Sequence, residues 1–419
     1  MLNFLLFAAS SAALPVFVAY SLCKPRLRST LLERLGFGNW RNFKRSNDKV
    51  IWLHAASLGE ISGIVPVVKK LRELFPKLQI VATCTSDTGR KALVNLVDDA
   101  FILPFDHPAL VGRALDLIKP DLIAISETEI WPSFLISAKH KAIPILFFNA
   151  RVSDYTYDSY KRFAAFLRPI LATVNSLYAQ TQIDLERFSA LGIQSSYLAG
   201  STKCDIGDAA ALSAQQIQEL RNSFGFEEGA LCLVAGSVHP VEDLAVVKAY
   251  KKLSLEIPNL KMIIAPRHNF ESAAAVLKQE DIEFTRRSEG NRQNSKVILL
   301  DTIGELSKVY SLASVAYVGG SLVDVGGHNP FEPAVYSVPV VMGNYIATVR
   351  DSVRSLQAAN ALFLVNNSEE LYQALKNLLT QPTLILTVGA SAKNVLLQSQ
   401  GATEKVVQGI KPFLLALRG

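Results

Sequence analysis

Past residue 50 the chain alternates apolar runs of strand length with longer stretches whose apolar positions recur at helical spacing. Val50–Ala55, Leu78–Thr83, Ala100–Phe105, Leu122–Ser126, Ile143–Asn149, Ser176–Ala179 and Tyr197–Ala199 read as buried strands, with amphipathic stretches such as Ile61–Phe75 between them. A second series begins near Gly229: Leu231–Ala235, Met262–Pro266, Val297–Leu300, Val315–Val318, Val340–Met342 and Leu362–Val365. Near-continuous apolar strands separated by helices predict α/β domains with parallel sheets covered on both faces. The Gln- and Asn-rich stretch 206–228 is expected to link the series, and two helices, about Leu384–Ser399 and Thr403–Leu417, close the chain. The expected domains are thus 50–205 and 229–399, both doubly wound and Rossmann-like, followed by a C-terminal helix at 400–419. In such sheets ligands bind beyond the carboxyl ends of the strands, so two facing domains make the cleft between them the default site.

Before residue 50 the pattern changes. Leu2–Cys23 is an uncharged run of apolar and small residues, long enough as a helix to cross roughly 30 Å of hydrocarbon. Residues 24–49 follow with eight basic groups (Lys24, Arg26, Arg28, Arg34, Arg41, Lys44, Arg45, Lys49) against Glu33 and Asp48. That block accounts for the whole net charge of +6, so the rest of the chain sums to zero. A diffuse basic surface for nucleic acid is therefore not supported. Charge after the apolar run, not before it, argues for a retained anchor (1–23) over a cleaved signal peptide. By the positive-inside rule the bulk of the chain lies in the cytoplasm, with the basic juxtamembrane segment (24–49) at anionic headgroups. With 49% hydrophobic and 19% charged residues the chain is not disordered. Four Cys without a C-x-x-C exclude a disulfide scaffold or a zinc ribbon.

The loops after the strands hold the candidate chemistry. Ser57-Leu-Gly-Glu60, Ser126-Glu-Thr-Glu129 and Thr302-Ile-Gly-Glu305 each match a capping box, S/T-x-x-E at a helix start. A Glu in that position can also act as a general base, and Gly before it lets the backbone approach a ligand. Thr85-Ser-Asp-Thr-Gly-Arg90 suits an anion at a helix start. Arg151, after Asn149-Ala, and Lys203 place cations on the same rim. In the second half Pro266-Arg-His268, Gly304-Glu305 and Gly319-Gly-Ser321 follow strands. Gly326-Gly-His-Asn-Pro-Phe-Glu332 is a Gly-rich turn with Asn329 at an expected N-cap and Glu332 one turn in, which reads as a nucleotide pocket. It is neither the G-x-G-x-x-G fingerprint nor a P-loop. No D-x-D occurs, and His54 has no second His at metal-ligand spacing, so no metal is expected.

Together these motifs resemble the bacterial Kdo transferases, which act on lipid A precursors. The resemblance runs from Glu-Arg-Leu-Gly at 33–36 through Trp52-Leu-His-Ala-Ala-Ser-Leu-Gly-Glu60, Thr85-Ser-Asp-Thr-Gly89, Glu127-Thr-Glu-Ile-Trp-Pro132, Asn149-Ala-Arg151 and Lys203-Cys-Asp205. It continues through Ala265-Pro-Arg-His268, Gly304-Glu-Leu306 and Gly319-Gly-Ser to Glu332. It implies a GT-B fold and metal-independent transfer of Kdo from CMP-Kdo to lipid IVA, with no cofactor, at the cytoplasmic side of the inner membrane. It also implies that Glu60 is the catalytic base. Pro266, Arg267, His268, Ile303, Gly304, Glu305, Asn329, Pro330, Phe331 and Glu332 would hold CMP. Glu129, Arg151 and Lys203 are further substrate candidates. The chain departs from the family pattern at Ser153-Asp-Tyr-Thr156, Gly200-Ser-Thr-Lys203, Leu300-Asp-Thr-Ile303 and Gly343–Thr348. Two other readings stay open on the residues alone: a GT-B transferase or epimerase using another nucleotide sugar such as a UDP-hexosamine, and a membrane-tethered two-domain solute-binding protein.

Overall fold

Fourteen parallel strands among the described residues build two seven-stranded sheets. The computed structural model describes residues 2–46, 48–205, 212–227, 229–290 and 295–416. Two compact units result, a first of 1–205 with 399–419 and a second of 206–398.

The first unit's strands are β1 (Val50–His54), β2 (Gln79–Cys84), β3 (Asp99–Ile102), β4 (Leu122–Ser126), β5 (Ile145–Ala150), β6 (Ser176–Ala179) and β7 (Ser196–Leu198). Their spatial order is β3-β2-β1-β4-β5-β6-β7. Alternation along β1 serves both faces. Val50 and Trp52 join a core with Trp40, Phe101 and Phe134, whereas Ile51 and Leu53 join Val67, Val406 and Ile410 on the other side. Each such fully buried aliphatic or aromatic side chain stabilises the fold by roughly 1.5–3 kcal/mol. Val406 and Ile410 come from the closing helix Ala402–Leu415, which therefore belongs to the first unit. Asp205 caps that helix from across the chain, its carboxylate accepting from the amides of Gly401 (2.6 Å) and Thr403.

The second unit holds β8 (Cys232–Val238), β9 (Lys261–Pro266), β10 (Thr285–Arg286), β11 (Val297–Leu299), β12 (Val315–Val318), β13 (Val340–Gly343) and β14 (Leu362–Val365). They lie in the order β10-β11-β9-β8-β12-β13-β14 over one buried apolar core. The stretch expected as a linker is partly structured. Residues 206–211 and 228 lie outside the described residues, but Ala214–Ser223 is a helix capped reciprocally by Ser213 and Gln216. Strand order reverses between β1 and β4 in the first unit and between β8 and β12 in the second. Those reversals are where doubly wound sheets open a crevice for ligands.

The helix Leu2–Cys23 contains one segment, Leu6–Cys23, apolar and long enough to cross a membrane by length and composition, with few of its residues buried. Ser11 Oγ lies 3.0 Å from His107 Nε2, and Phe17 stacks on Phe105 with centroids 4.6 Å apart. The basic block after it is not wholly available to headgroups, which corrects the simplest reading of its charge. Arg45 and Lys49 both pair with Asp121 (3.2 and 3.0 Å), and Arg34 donates to the Thr85 carbonyl.

Candidate active site

In the first unit the loops after β1 and β4, on either side of the strand reversal, carry three carboxylates. Ser57 caps the helix Leu58–Leu74, its Oγ accepting from the Glu60 amide at 3.3 Å. The Glu60 carboxylate folds back to accept from Ser57 Oγ at 2.8 Å and from the Ala56 amide at 2.7 Å. The Ser57 N-cap is thus present, while the Glu60 carboxylate takes the Ala56 amide in place of the Ser57 amide of a full capping box, and these bonds orient Glu60. Glu60 is buried, which pushes its pKa above the usual 4.5. The Ser57 hydrogen bond opposes that rise and the Glu127 charge adds to it.

No helix starts at Ser126–Glu129, so the capping box expected there does not form. Glu127 adopts a left-handed backbone with φ +60°, costing roughly 1–2 kcal/mol for a non-glycine residue. The next helix begins only at Pro132, whose ring suits a first helical position. The turn at Glu127 has a use. Its carboxylate takes both rim cations, Lys203 Nζ at 2.6 Å and Arg151 Nε at 3.3 Å. Lys203 and Arg151 were expected here; Glu127 as their common partner was not. Glu129 is pushed up to about 7, chiefly by burial and then by the charge of Glu60. Among the described residues no Lys or Arg forms an ion pair with Glu60.

A buried lock fixes Lys203. Asn149, also left-handed (φ +52°), donates Nδ2 to Thr202 Oγ1 at 2.7 Å and accepts from the Thr202 amide at 2.8 Å. Thr202 Oγ1 donates in turn to the Gly63 carbonyl at 2.7 Å. A Cβ at Gly63 would stand 2.6 Å from Asn149 Nδ2, so a larger residue there must shift this lock. His54 is fully buried, lies 2.9 Å from Thr83 Oγ1, and burial lowers it to about 4; it is a neutral strand residue. Arg90 in the loop expected to suit an anion is engaged by Asp87 at 2.7 Å.

In the second unit the loops after β8 and β12 are organised by Glu242, which the sequence reading missed. This carboxylate, only 1% exposed, accepts from the amides of His239, Gly320, Ser321 and Leu322 and from Tyr317 Oη, all within 2.9 Å. His239 Nε2 then lies 2.9 Å from His328 Nε2, the rings nearly parallel at 13°. Burial lowers His328 to about 4, and the Arg267 charge adds to that, so the imidazole is neutral near pH 7. Arg267 and His268 stand exposed after β9 and Pro266.

The short helix Phe331–Ala334 starts later than expected, with Pro330 in the cap position. Asn329 still closes it by accepting from the Phe331 amide at 3.0 Å. Burial raises Glu332 to about 7 against the opposing Arg267 charge. The third expected capping box is also different. Glu305 directly precedes the helix Leu306–Val309, and its carboxylate is held by Arg287 (2.9 Å) and by Thr302 Oγ1. Arg287 itself lies over the Phe224 ring, 4.0 Å from its centroid. The loop before Glu305 presents the Gly304 backbone (φ +87°) and the 93%-exposed Ile303 side chain. The second unit thus gathers Arg267, His268, His328 and Glu332 on one rim, with the backbone of 303–304 as a separate loop.

A sequence-family model described as 3-deoxy-D-manno-octulosonic-acid transferase (kdotransferase) matches residues 29–206. The chain is 31% identical over 404 residues to 3-deoxy-D-manno-octulosonic acid transferase of Haemophilus influenzae, covering 94% of this chain and 93% of that one. To the enzyme of the same name from Aquifex aeolicus it is 30% identical, over 79% and 86% of the two chains. Among solved structures, UDP-GlcNAc 2-epimerase from Neisseria meningitidis aligns with TM-score 0.57 at 13% identity, over 87% of this chain and all of that one. A glycosyltransferase from Rickettsia africae aligns with TM-score 0.56 at 15% identity, over 89% and 100%. Those two likenesses establish the shared GT-B fold alone. The near full-length identity to the Haemophilus enzyme decides the family: this chain belongs to the 3-deoxy-D-manno-octulosonic acid (Kdo) transferases.

Proposed function

We propose that the protein transfers Kdo from CMP-Kdo to lipid IVA, with Glu60 as general base and no metal. One observation carries the assignment: of the three first-unit carboxylates, Glu127 takes both cations, leaving Glu60 buried, oriented by two hydrogen bonds and raised in pKa. A base poised this way removes the acceptor hydroxyl proton as the oxygen bonds to the ketose carbon. The bond from that carbon to the CMP phosphate breaks in the same step. Arg267 meets the charge gathering on the leaving phosphate, where a cation contributes most. The Gly304 amide and the Asn329–Glu332 turn hold the nucleotide, Glu332 accepting from ribose hydroxyls. Arg151 and Lys203, paired through Glu127, face the acceptor's phosphates or the sugar carboxylate. The helix Leu2–Cys23 anchors the chain at the cytoplasmic face of the inner membrane, beside an anionic lipid acceptor.

Incubating the protein with CMP-Kdo and lipid IVA, with and without EDTA, and weighing the lipid by mass spectrometry tests this directly. Lipid gaining one or more Kdo masses in both arms is expected; unchanged lipid overturns the proposal. Tighter binding of UDP than of CMP in a titration would point to a different nucleotide sugar.

The raised carboxylates also set a pH dependence. A base must be deprotonated to act, and burial shifts that ionisation above 4.5 for Glu60 and to about 7 for Glu129. Two neighbouring carboxyls titrate as a pair. Transfer should fall, as pH is lowered, along an acidic limb between about 4.5 and 7. Glu129→Gln should leave a single proton step on that limb. A midpoint below 4.5 in the pH–rate profile would count against a desolvated base.

A further inference from the structure

Glu33 and Arg34 lie in the short helix Leu31–Arg34, far in sequence from the loops of the first unit, yet both are sewn into them. Glu33 is buried and accepts from the Ile102 amide at 2.8 Å, and the Arg34 carbonyl accepts from the Phe105 amide at 2.8 Å. These bonds fix the helix at the end of β3. From there the Arg34 side chain reaches across the sheet end. Its Nε donates to Thr30 Oγ1 at 3.3 Å and its Nη2 donates to the Thr85 carbonyl. The guanidinium also lies 6.0 Å from the centroid of the Phe17 ring in the apolar N-terminal helix.

Thr85 is the first residue after β2, and both of its donors converge on one acceptor. The Thr85 amide and Oγ1 donate to the Ala56 carbonyl at 3.2 and 2.8 Å. Ala56 in turn supplies the amide that holds Glu60 Oε2 at 2.7 Å. A series of residues joined by hydrogen bonds therefore runs from Arg34 through Thr85 and Ala56 to Glu60. We propose that Arg34 is a positioning residue for Glu60: it holds Thr85 by its carbonyl, Thr85 holds Ala56 by its carbonyl, and the Ala56 amide aims the carboxylate. The inference rests on the reading of Glu60 as the base. It also gives one residue of the basic block a task other than meeting lipid headgroups.

A misplacement of about 1 Å at a reacting group costs up to roughly 10²-fold in rate. Removing the Arg34 donor should therefore act on the chemical step and not on donor binding. The test uses the full chain in lipid vesicles, with kcat and the KM for CMP-Kdo measured for Arg34→Gln, Arg34→Lys, Glu60→Gln and the Arg34→Gln/Glu60→Gln pair. Arg34→Gln is expected to lower kcat about 10- to 100-fold with KM nearly unchanged, and Arg34→Lys to recover most of the loss. Residues acting through one group show non-additive losses, so the double variant should be no slower than Glu60→Gln alone. Losses that multiply, a change confined to KM, or wild-type kcat in Arg34→Gln would overturn the inference while leaving Glu60 in place. Near-normal transfer by Glu60→Gln would instead remove the base assignment, and this inference with it. If Arg34→Gln does not fold, Thr85→Val removes the hydroxyl bond to Ala56 in a side chain of the same shape. Its kcat loss must then also vanish on the Glu60→Gln background, or the inference fails.

Discussion

Glu60→Gln is expected to lower kcat for Kdo transfer by about 10²- to 10⁴-fold, the range a general base contributes, with little loss of stability. The two halves of that expectation come from the same geometry. Gln retains one carbonyl oxygen for the Ala56 amide and an NH2 that can donate to Ser57 Oγ, and its backbone N–H keeps the Ser57 N-cap bond. The helix Leu58–Leu74 should therefore stay closed at its N-terminus while the site loses its proton acceptor. Steady-state rates with CMP-Kdo and lipid IVA, beside thermal melts of both proteins, check it. A variant that melts normally and transfers at more than a tenth of the wild-type rate would show that another group takes the proton.

The largest structural effect should come from Glu242→Gln in the second unit. Five donors converge on this buried carboxylate. An amide offers one acceptor oxygen and turns an NH2 toward N–H groups that have nothing else to meet. Buried donors left without acceptors cost roughly 1–3 kcal/mol each, so a loss of about 3–5 kcal/mol is expected. For a unit of this size that lowers the melting temperature on the order of 10 °C. Because Glu242 holds the His239 amide and the Gly320–Leu322 turn, CMP affinity should fall with it, a joint effect that calorimetry and nucleotide titration read separately. A melting temperature within 2 °C or so of wild type would mean that the turn holds itself.

How much of this was legible in the chain differs by feature. Leu122–Ser126, Ser176–Ala179 and Val315–Val318 are strands as the apolar runs predict, because a parallel strand buried on both faces leaves an unbroken apolar signature. β10, only Thr285–Arg286, has no such run and is added by pairing with β11. The helix Ala402–Leu415 was visible as a helix, but periodicity says nothing about which sheet it covers. In the sites, Ser57 and Glu60 were readable because a capping box is local. Glu127 as an ion-pair hub was not, since nothing in Ser-Glu-Thr-Glu announces a left-handed backbone at its second residue. Glu242 was hidden for another reason: Tyr317 and Leu322, two of its partners, lie 75 and 80 residues further along. The partner of Glu305 was hidden in the same way, because Arg287, which holds its carboxylate, lies 18 residues before it.

The Asp205 cap on the closing helix has a practical consequence. It brings the residue where the chain leaves the first unit within hydrogen-bond distance of Gly401, just after the chain returns at 399. Topologically, residues 206–398 are an insertion between two points that already touch. A truncation ending at 205, close to the end of the matched family region at 206, would strip Val406, Val407 and Ile410 from one face of the sheet. Joining 205 directly to 399 would instead retain the whole apolar layer with no long linker. That spliced chain, not the contiguous N-terminal half, is the reagent to make for anyone wanting the Glu60 loop, the Glu127 hub and the N-terminal helix in isolation.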